Sequence, residues 1–420
     1  MAGNPGLGGL LAIADFRKVW AVGALSGLVR WVEMLAFAVY IFDISNSPFQ
    51  VALVSLLRIL PLALFGAPLG VLADRVDRRK IVLAGLIGML ALDLWLAWLG
   101  FSGRLEIWHL MAGAFINGLY WATDMPARRT LLSAIAGSAR TAPAMAIDAS
   151  TSSLTRALGP AAGGLLVAFT GLPGALLLGA GIYALAIVFM LSLPRRDRGG
   201  AASDLGPWRA LKEGLAHAAR DRTIVGVLIV TVIFNVWVFP YTAMIAVIGR
   251  DVLGLGPFNV GLLMSMEGIG AFIGAMAVAF LGKPATHGGI YLFGAIAAGI
   301  SLIGFALSTS PLLSGLILVL AGIGAGCFAS MQATLMLLLA PPEARSRLMG
   351  VLSVCIGLGP LGFAHLGLLA DWLGAERAMI VMGLEGLCAF ALAWLFWPEV
   401  RGSARAQLKK MRSDSQEKSH

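Results

Sequence analysis

The chain has 420 residues, of which 59% are hydrophobic and 13% charged, and its formal net charge is +9. Soluble domains carry about 25% charged residues, so this composition, with a mean hydropathy of +0.87, excludes a soluble protein and indicates an integral membrane protein. Cys327, Cys355 and Cys388 lie within apolar runs, which argues against a disulfide framework or a Cys/His metal site. The basic excess is attributed to membrane topology, and no nucleic-acid partner is expected.

A helix that crosses a membrane needs about 20 mainly apolar residues, and twelve stretches of this chain qualify. We expect spans at residues 17–42, 50–73, 79–100, 107–127, 144–169, 175–193, 223–248, 259–281, 289–308, 312–340, 348–370 and 377–397. Residues 1–193 then form an N-terminal six-helix bundle, and residues 223–400 form a C-terminal one. Residues 194–222 are the predicted cytoplasmic linker, and residues 401–420 are a disordered basic tail.

Basic residues are distributed unevenly among the predicted loops. When the loops are assigned alternately to the two sides, most of the 31 Lys and Arg residues fall on the side of the termini. The opposite side holds only Arg104, Arg250 and Arg377. Because Lys- and Arg-rich loops stay in the cytoplasm, we expect both termini there.

The predicted linker carries a short pattern of helical periodicity. Trp208, Leu211 and Leu215 recur on one face among charged residues. This pattern predicts a short amphipathic helix. The helix either lies on the inner membrane surface or is solvated, without lipid contact.

Two sequence echoes indicate an internal duplication. Gly159-Pro160 in span 5 and Gly359-Pro360 in span 11 hold equivalent positions in the two halves. The run 367–371 after span 11 is also similar to the run 70–74 after span 2, and these hairpins fall on opposite sides of the membrane. Such echoes are expected of an all-α membrane protein with two pseudo-symmetric six-helix bundles, each built from inverted three-helix repeats.

The Gly-Pro pairs are also candidate packing hinges. Gly159 and Gly163 permit close contact between helices. Pro160 removes a backbone donor and bends its helix, and Gly359 with Pro360 is expected to do the same in the second half.

No enzyme motif is evident in the chain. It lacks the Gly-x-x-x-x-Gly-Lys-Ser/Thr phosphate loop, so ATP hydrolysis is not expected, and the energy source is an ion gradient or the substrate gradient itself. We therefore expect no cofactor and no metal. Ionisable residues inside spans are functional candidates by default. The candidates for substrate or ion coupling are Arg30, Glu33, Arg58, Asp93 and Glu267.

Arg30 and Glu33 lie near the middle of span 1, on one helical face. The hypothesis is an ion pair that opens when Glu33 takes up a proton, which couples proton entry to substrate release. The alternative is a static pair that only makes a polar helix insertable. Arg58, Asp93 and Arg156 are further partners for such a network, although Arg58 also suits a structural role.

The second half contains two isolated acids, Glu267 in span 8 and Glu385 in span 12. Glu267 is the favoured proton carrier because Met264 and Met266 surround it with adaptable apolar surface. Glu385 is a candidate for a hydrogen bond to a neighbouring helix, and His365 for a packed polar residue.

The inner ends of the first spans carry a cluster of charge. Asp124 and Arg128 are spaced i, i+4 at the end of span 4, and Asp148 is expected to join them. Such residues predict a cytoplasmic gate whose salt bridges form in one transport state and break in the other. The alternative for the basic residues is charge that only sets orientation. The hairpin after span 2 supplies the remaining gate candidates: Gly70, Asp74, Arg75, Arg78 and Arg79.

Three runs resemble a known family: Gly70–Lys80, Met125–Arg129 and Arg156–Pro160. Together they are similar to major facilitator superfamily transporters, and among these to the bacterial enterobactin-exporter-like and macrolide-efflux-like branch. Asp77 stands where many members have Gly. The resemblance implies two bundles that close alternately around a midplane cavity, and it implies a gate role for Asp74.

The resemblance further implies that spans 1, 4, 7 and 10 line that cavity. Amides and aromatic residues there would suit a bulky, partly polar substrate, and the alternative is a role in helix packing. The candidate cavity-lining residues are Asn117, Trp121, Asn235, Trp237 and Gln332.

These features predict a monomeric secondary transporter, not an enzyme, whose partners are a small-molecule substrate and membrane lipids. We expect it to export a small amphipathic molecule, siderophore or drug-like, by proton-coupled antiport. The same fold could instead import its substrate or flip a lipid. A non-transporting membrane sensor or assembly partner is the alternative from another class, against which the short loops argue.

Overall fold

The structure is a computed structural model that describes residues 7–137, 140–194, 207–281, 286–341 and 344–401, with only the backbone described over residues 67–75. Over these residues the chain forms helices and turns, and no strand. Much of the predicted linker and the tail beyond residue 401 lie outside this description. The helices, labelled in chain order, are α1 (Leu7–Leu11), α2 (Ala14–Ser45), α3 (Pro48–Arg75), α4 (Arg78–Phe101), α5 (Ile107–Ala136), α6 (Thr141–Leu191), α7 (Pro207–Ala218), α8 (Arg222–Ile233), α9 (Tyr241–Asp251), α10 (Pro257–Leu281), α11 (His287–Ala306), α12 (Pro311–Leu339), α13 (Arg345–Ile356), α14 (Gly359–Leu373) and α15 (Ala375–Phe396).

The described helices supply twelve membrane crossings. Ten stretches are long and apolar enough to cross a membrane by themselves, and one of these, Pro143–Leu191, has 49 residues, enough for two crossings. Helix α5 is a further 30-residue helix with more polar residues. Two of these crossings are not single regular helices. A π-helical turn, Phe234–Val238, joins α8 to α9, and a break at Gly357 separates α13 from α14.

Helix α6 is two antiparallel arms joined at Gly171. This glycine has φ 66° and ψ −178°, a backbone conformation that a side chain would strain. The first arm brings Thr151 to Trp20, whose Nε1 donates to Thr151 Oγ1 at 2.8 Å. The second arm ends with Ser192, whose carbonyl accepts from Lys18 Nζ at 3.0 Å. Because both ends of α6 reach the same end of α2, the arms run in opposite directions.

The chain divides into two compact units, and the first combines residues up to Pro207 with Ala243–Ser265. Within it, α2 packs most extensively against α6, α3 against α5, and α4 against both α5 and α6. The Ala243–Ser265 segment is held to the earlier helices by two polar contacts. Arg250 Nε lies 2.7 Å from Asp43 Oδ1, and the backbone N–H of Ala161 donates to Ser265 Oγ at 3.0 Å.

The second unit combines Trp208–Thr242 with the chain from Met266 onward. Helix α11 packs against α12 and α15, and α14 packs against α15. Helix α7 does not lie free in this unit. Gly214 faces the backbone of Arg347, and Glu213 Oε2 lies 2.6 Å from Arg347 Nη1. Leu211 packs on the core while Leu215 is exposed, so helix α7 is docked on α13 through one face.

Helices α3 and α5 meet backbone to backbone at Gly118. A Cβ at this position would overlap the carbonyl oxygen of Arg58. Gly88 on α4, by contrast, has open space around its missing Cβ. Close approach at Gly118 therefore sets the spacing between the two helices that carry Arg58 and Asn117.

We predict that Gly118→Ala lowers the free energy of unfolding by about 1–3 kcal/mol, because an added methyl forces two backbones apart. Thermal or denaturant unfolding of the purified protein in detergent measures the loss. Gly88→Ala is the matched control, since it adds the same methyl at a helix position where no other atom lies within 4 Å. Equal stability of the two variants would contradict the backbone contact as the spacing constraint.

Candidate functional site

The first unit encloses a polar cluster between α2, α3, α4, α5 and the second arm of α6. We call it the Glu33 cluster; its members are Glu33, Arg58, Asp93, Asn117 and Tyr183. Glu33 is 2% exposed and Asp93 is fully buried. Ionisable groups at such depth are costly unless they are paired or neutral. The cluster is therefore the strongest candidate site in the described part of the chain.

Two donors hold the Glu33 carboxylate. Asn117 Nδ2 donates to Oε2, and the Tyr183 hydroxyl donates to Oε1 at 3.2 Å. Arg58 is the cation whose charge acts on Glu33. The guanidinium of Arg58 is itself fixed, because its Nη1 donates to the Arg30 carbonyl at 3.2 Å and it stacks 5.6 Å from the Phe37 ring centre. Glu33 is thus a buried, anchored acceptor, and Arg58 is the cation that acts on it among the described residues.

Asp93 lies beside Glu33 and interacts with it directly. Among the described residues, no N–H or O–H donor reaches either carboxyl oxygen of Asp93. Gly179 faces it from α6, and a Cβ there would come within 2.7 Å of Asp93 Oδ2. The missing side chain at position 179 therefore makes room for a second carboxyl group against the first.

Arg30 does not form the predicted ion pair with Glu33. Its guanidinium lies instead between two indoles, 5.1 Å from the Trp31 ring centre and 4.8 Å from that of Trp121. The prediction from i, i+3 spacing was wrong because Glu33 turns toward Asn117 and Tyr183. Arg156 also stacks on Trp31, and its guanidinium lies 5.7 Å from the centre of that ring.

A cavity opens beside Arg30, with about 530 Å³ of space not filled by atoms, part of it open to solvent. Trp121 and Tyr120 supply aromatic surface, and Ser26 and Thr155 are among its hydroxyl-bearing residues. The charged side chains that line it are Arg30, Asp124, Arg128, Arg129 and Asp148.

Four of these charges neutralise one another in what we call the Arg128 cluster. Arg128 bonds to Asp148 Oδ1 and, at 3.3 Å, to Asp124 Oδ2, and Arg129 Nε lies 2.9 Å from Asp148 Oδ2. The i, i+4 pair of Asp124 with Arg128 and the addition of Asp148 thus agree with the sequence pattern. Whether this cluster acts as a gate stays a prediction.

The other gate candidates divide into two groups. The side chains of Asp74 and Arg75, and the surroundings of Gly70, lie outside the described residues. Arg79 donates from Nε and Nη2 to the last carbonyls of α6, at 3.0 and 2.9 Å, where a cation suits the helix C-terminus. Arg78 begins α4, and the preceding Asp77 caps that helix by accepting from the Arg79 N–H at 2.9 Å.

The second unit has its own polar cluster, centred on Thr231. Gln332 Nε2 donates to Thr231 Oγ1 at 3.1 Å, and Asn235 Nδ2 donates to the Thr231 carbonyl at 2.9 Å. Tyr291 is within 2.8 Å of the same hydroxyl and donates to the Val227 carbonyl. Asn235 and Gln332 are therefore buried partners in a network, and only Trp121 among the predicted cavity-lining residues faces the cavity beside Arg30.

Glu385 is a bonded acid at a partly exposed position. Trp237 Nε1 donates to its Oε2 at 3.0 Å, and His365 Nε2 lies 2.8 Å from the same oxygen. The expected hydrogen bond to a neighbouring helix is confirmed, and Trp237 is fixed by it. Glu267 is buried on α10, and its role in coupling stays a prediction.

The two Gly-Pro pairs differ in backbone context. Gly159 and Gly163 face α2, where a Cβ would meet Trp31 and Val32, and the carbonyl of Pro160 lies against Gly261. Gly359 and Pro360 instead begin α14 after the break in that crossing. The nearest atom to a Cβ at Gly359 would be the Asn235 carbonyl oxygen at 3.7 Å, an ordinary contact.

Several residues of these sites escaped the sequence analysis. Each is a single polar or amphipathic residue in an apolar helix, which is common in membrane proteins, so no local pattern distinguished it. They are Tyr183, Trp31, Thr231 and Tyr291. One signal was available: each acid inside a span needs a hydrogen-bond donor nearby, so polar residues on neighbouring spans were to be expected as partners. Among the described residues no group of three or more His, Cys, Asp or Glu side chains could hold a metal ion.

Comparison with known families and proteins decides the class of this chain. Residues 19–364 and 289–415 match the Major Facilitator Superfamily. The chain belongs to the major facilitator superfamily. It is similar to Macrolide efflux protein A of Streptococcus pyogenes, with 24% identity over 89% of this chain and 93% of the relative. It is also similar to the Staphyloferrin A transporter of Staphylococcus aureus, with 19% identity over 86% of this chain and 91% of the relative.

Solved structures support the fold. A nucleoside transporter is similar to the chain with a TM-score of 0.74 and 12% identity, over 91% of this chain and 100% of the transporter. Twelve crossings in two six-helix halves are the fold of this superfamily, whose members are transporters, so the chain is not an enzyme.

We predict that Arg128→Gln lowers the free energy of unfolding by about 3–5 kcal/mol, because Asp124 and Asp148 stay buried without their shared cation. Adding Asp148→Asn should recover part of the loss. Arg209→Gln removes an exposed pair with Glu213 and should cost at most about 1 kcal/mol. Denaturant unfolding of all four proteins in detergent measures these differences. No recovery in the double variant would contradict a charge-balanced cluster.

Proposed function

We propose that the chain is a proton-coupled exporter of small amphipathic organic molecules. It acts as a monomer in the bacterial inner membrane, with both termini in the cytoplasm and the proton gradient as its energy source. Membership of the superfamily and the twelve crossings support transport. The name of the streptococcal relative, Macrolide efflux protein A, and the excess of basic residues on one side support the direction and topology.

The observation that carries the proton coupling is the pair of buried acids in the Glu33 cluster. Two carboxyl groups and one guanidinium form a neutral set only when the acids share one proton. Glu33 accepts two hydrogen bonds and faces Arg58, so it is the charged member in this arrangement. Asp93 has no donor among the described residues, so it holds the proton, because a bare buried carboxylate is costly.

Transfer of that proton from Asp93 to Glu33, or entry of a second proton, neutralises the carboxylate that faces Arg58. Asn117 accommodates either state of Glu33. Its Nδ2 donates to the carboxylate, while its Oδ1 is buried without a partner among the described residues. Turning the amide by half a turn would offer Oδ1 to a protonated Glu33. The cluster therefore has hydrogen bonds for two protonation states, as a coupling site requires.

The test uses everted membrane vesicles, in which export appears as uptake. Labelled erythromycin, a catecholate siderophore and a hydroxycarboxylate siderophore would be offered with and without an imposed proton gradient. We predict that wild type accumulates at least one of them against its gradient and consumes the pH gradient in doing so. Uptake only into right-side-out vesicles would show import and contradict the direction.

We predict that Glu33→Gln abolishes gradient-driven accumulation but retains exchange of substrate across the membrane, because the altered side chain cannot carry a proton. Asp93→Asn should show the same split. Glu376→Gln, which neutralises an exposed acid, is the control and should transport as wild type does. Uphill accumulation by Glu33→Gln would remove Glu33 from the coupling path.

A further inference from the structure

The charge around the cavity beside Arg30 does not balance. Two of its three arginines, Arg128 and Arg129, are paired with the two aspartates of the Arg128 cluster. Arg30 has no ion pair to a carboxylate among the described residues. Asp124 is the acid whose charge acts on Arg30 across the cavity, but that carboxylate bonds to Arg128. One positive charge therefore remains for something the protein itself does not supply.

The two indoles position that charge without neutralising it. A guanidinium between aromatic faces gains cation–π attraction, which holds the side chain in one place while its N–H groups remain free to donate. The buried Nε1–H of Trp31 likewise has no acceptor among the described residues, although Trp31 does not itself line the cavity. Both groups lack an acceptor, and neither would gain from a second cation.

Two other arginines lie near this part of α2, and neither lines the cavity. Arg156 stacks on Trp31 and has a further interaction of its own. Arg58 faces Glu33 and donates to the Arg30 carbonyl. The charge of Arg30 is thus separate from the charge of the Glu33 cluster, although both lie on neighbouring turns of α2. One helix carries the proposed proton site and, three residues away, an unmatched cation.

We propose that Arg30, held between Trp31 and Trp121, binds an anionic group of the substrate, so that this protein transports amphipathic organic anions such as carboxylates. The inference rests on the proposed transport function, and it names the substrate class. The carboxylate pairs with the guanidinium in a bidentate geometry, and the apolar body of the substrate packs on Trp121. A cationic molecule would place its charge beside the unpaired charge of Arg30.

The test is equilibrium binding to the full-length protein in detergent, by calorimetry. Three probes share one ring system and differ in charge: 2-naphthoate, 2-naphthamide and 2-naphthylmethylammonium. We predict that naphthoate binds at least tenfold more tightly than either of the others. The wild-type series needs no variant, so it decides the charge preference even if a substitution impairs folding. Equal or tighter binding of the ammonium probe, or no detectable binding of naphthoate, would overturn the proposal.

Two variants then locate the preference. Arg30→Gln should weaken naphthoate binding at least tenfold, to the level of the amide, and Arg30→Lys should retain part of the affinity because it keeps the charge. Arg104→Gln removes an exposed arginine outside the cavity and should bind as wild type does. Naphthoate binding unaffected by Arg30→Gln would show that the anion site lies elsewhere.

Failure of this inference can be distinguished from failure of the proposed transport function. Binding needs neither a gradient nor a direction, so a protein that binds naphthoate through Arg30 but moves nothing uphill keeps this inference and loses the proposed export. A protein that exports the hydroxycarboxylate siderophore equally well with Arg30→Gln keeps export and loses this inference.

Discussion

A charge buried in a membrane-spanning helix must be matched by another group of the protein or by a bound ligand, because the surrounding hydrocarbon offers neither water nor counter-ions. Arg58 on α3 shows how much structure this constraint determines. Its charge is matched by Glu33 on α2, and Glu33 in turn accepts hydrogen bonds from Asn117 on α5 and Tyr183 on α6. Five helices meet around one guanidinium because each group brought in to satisfy the previous one has needs of its own.

The first unit matches its arginines in two different ways. Arg128 is paired with two carboxylates, so its charge is already neutralised within the protein. Arg30 is held by aromatic faces, which orient a cation while leaving its charge and its N–H groups available. The first arrangement favours a closed, self-contained contact, and the second favours recognition of something outside the protein. The two lie around the same cavity, so a bound anion at Arg30 would also act electrostatically on the Arg128 cluster.

The sequence predicted the crossings and the charged residues well, and it predicted their partners poorly. Apolar runs reveal spans because the membrane imposes one length on all of them, and the Asp124–Arg128 pair follows from helical spacing. Arg30 and Glu33 had equally good spacing but found better partners on other helices, which no local pattern encodes. Asp93 against Glu33 depended on the absence of a side chain at Gly179, on a helix far along the chain.

The contact at Gly118 links the backbone of α5 to the carbonyl of Arg58 itself. Because α3 and α5 are in backbone contact there, we expect the two helices to move together. Arg58 lies on α3 and Asn117 lies on α5, next to this contact. Glu33 belongs to a different helix and faces both. A change in the charge of Glu33 therefore acts on both helices at once, through Arg58 on α3 and through Asn117 on α5.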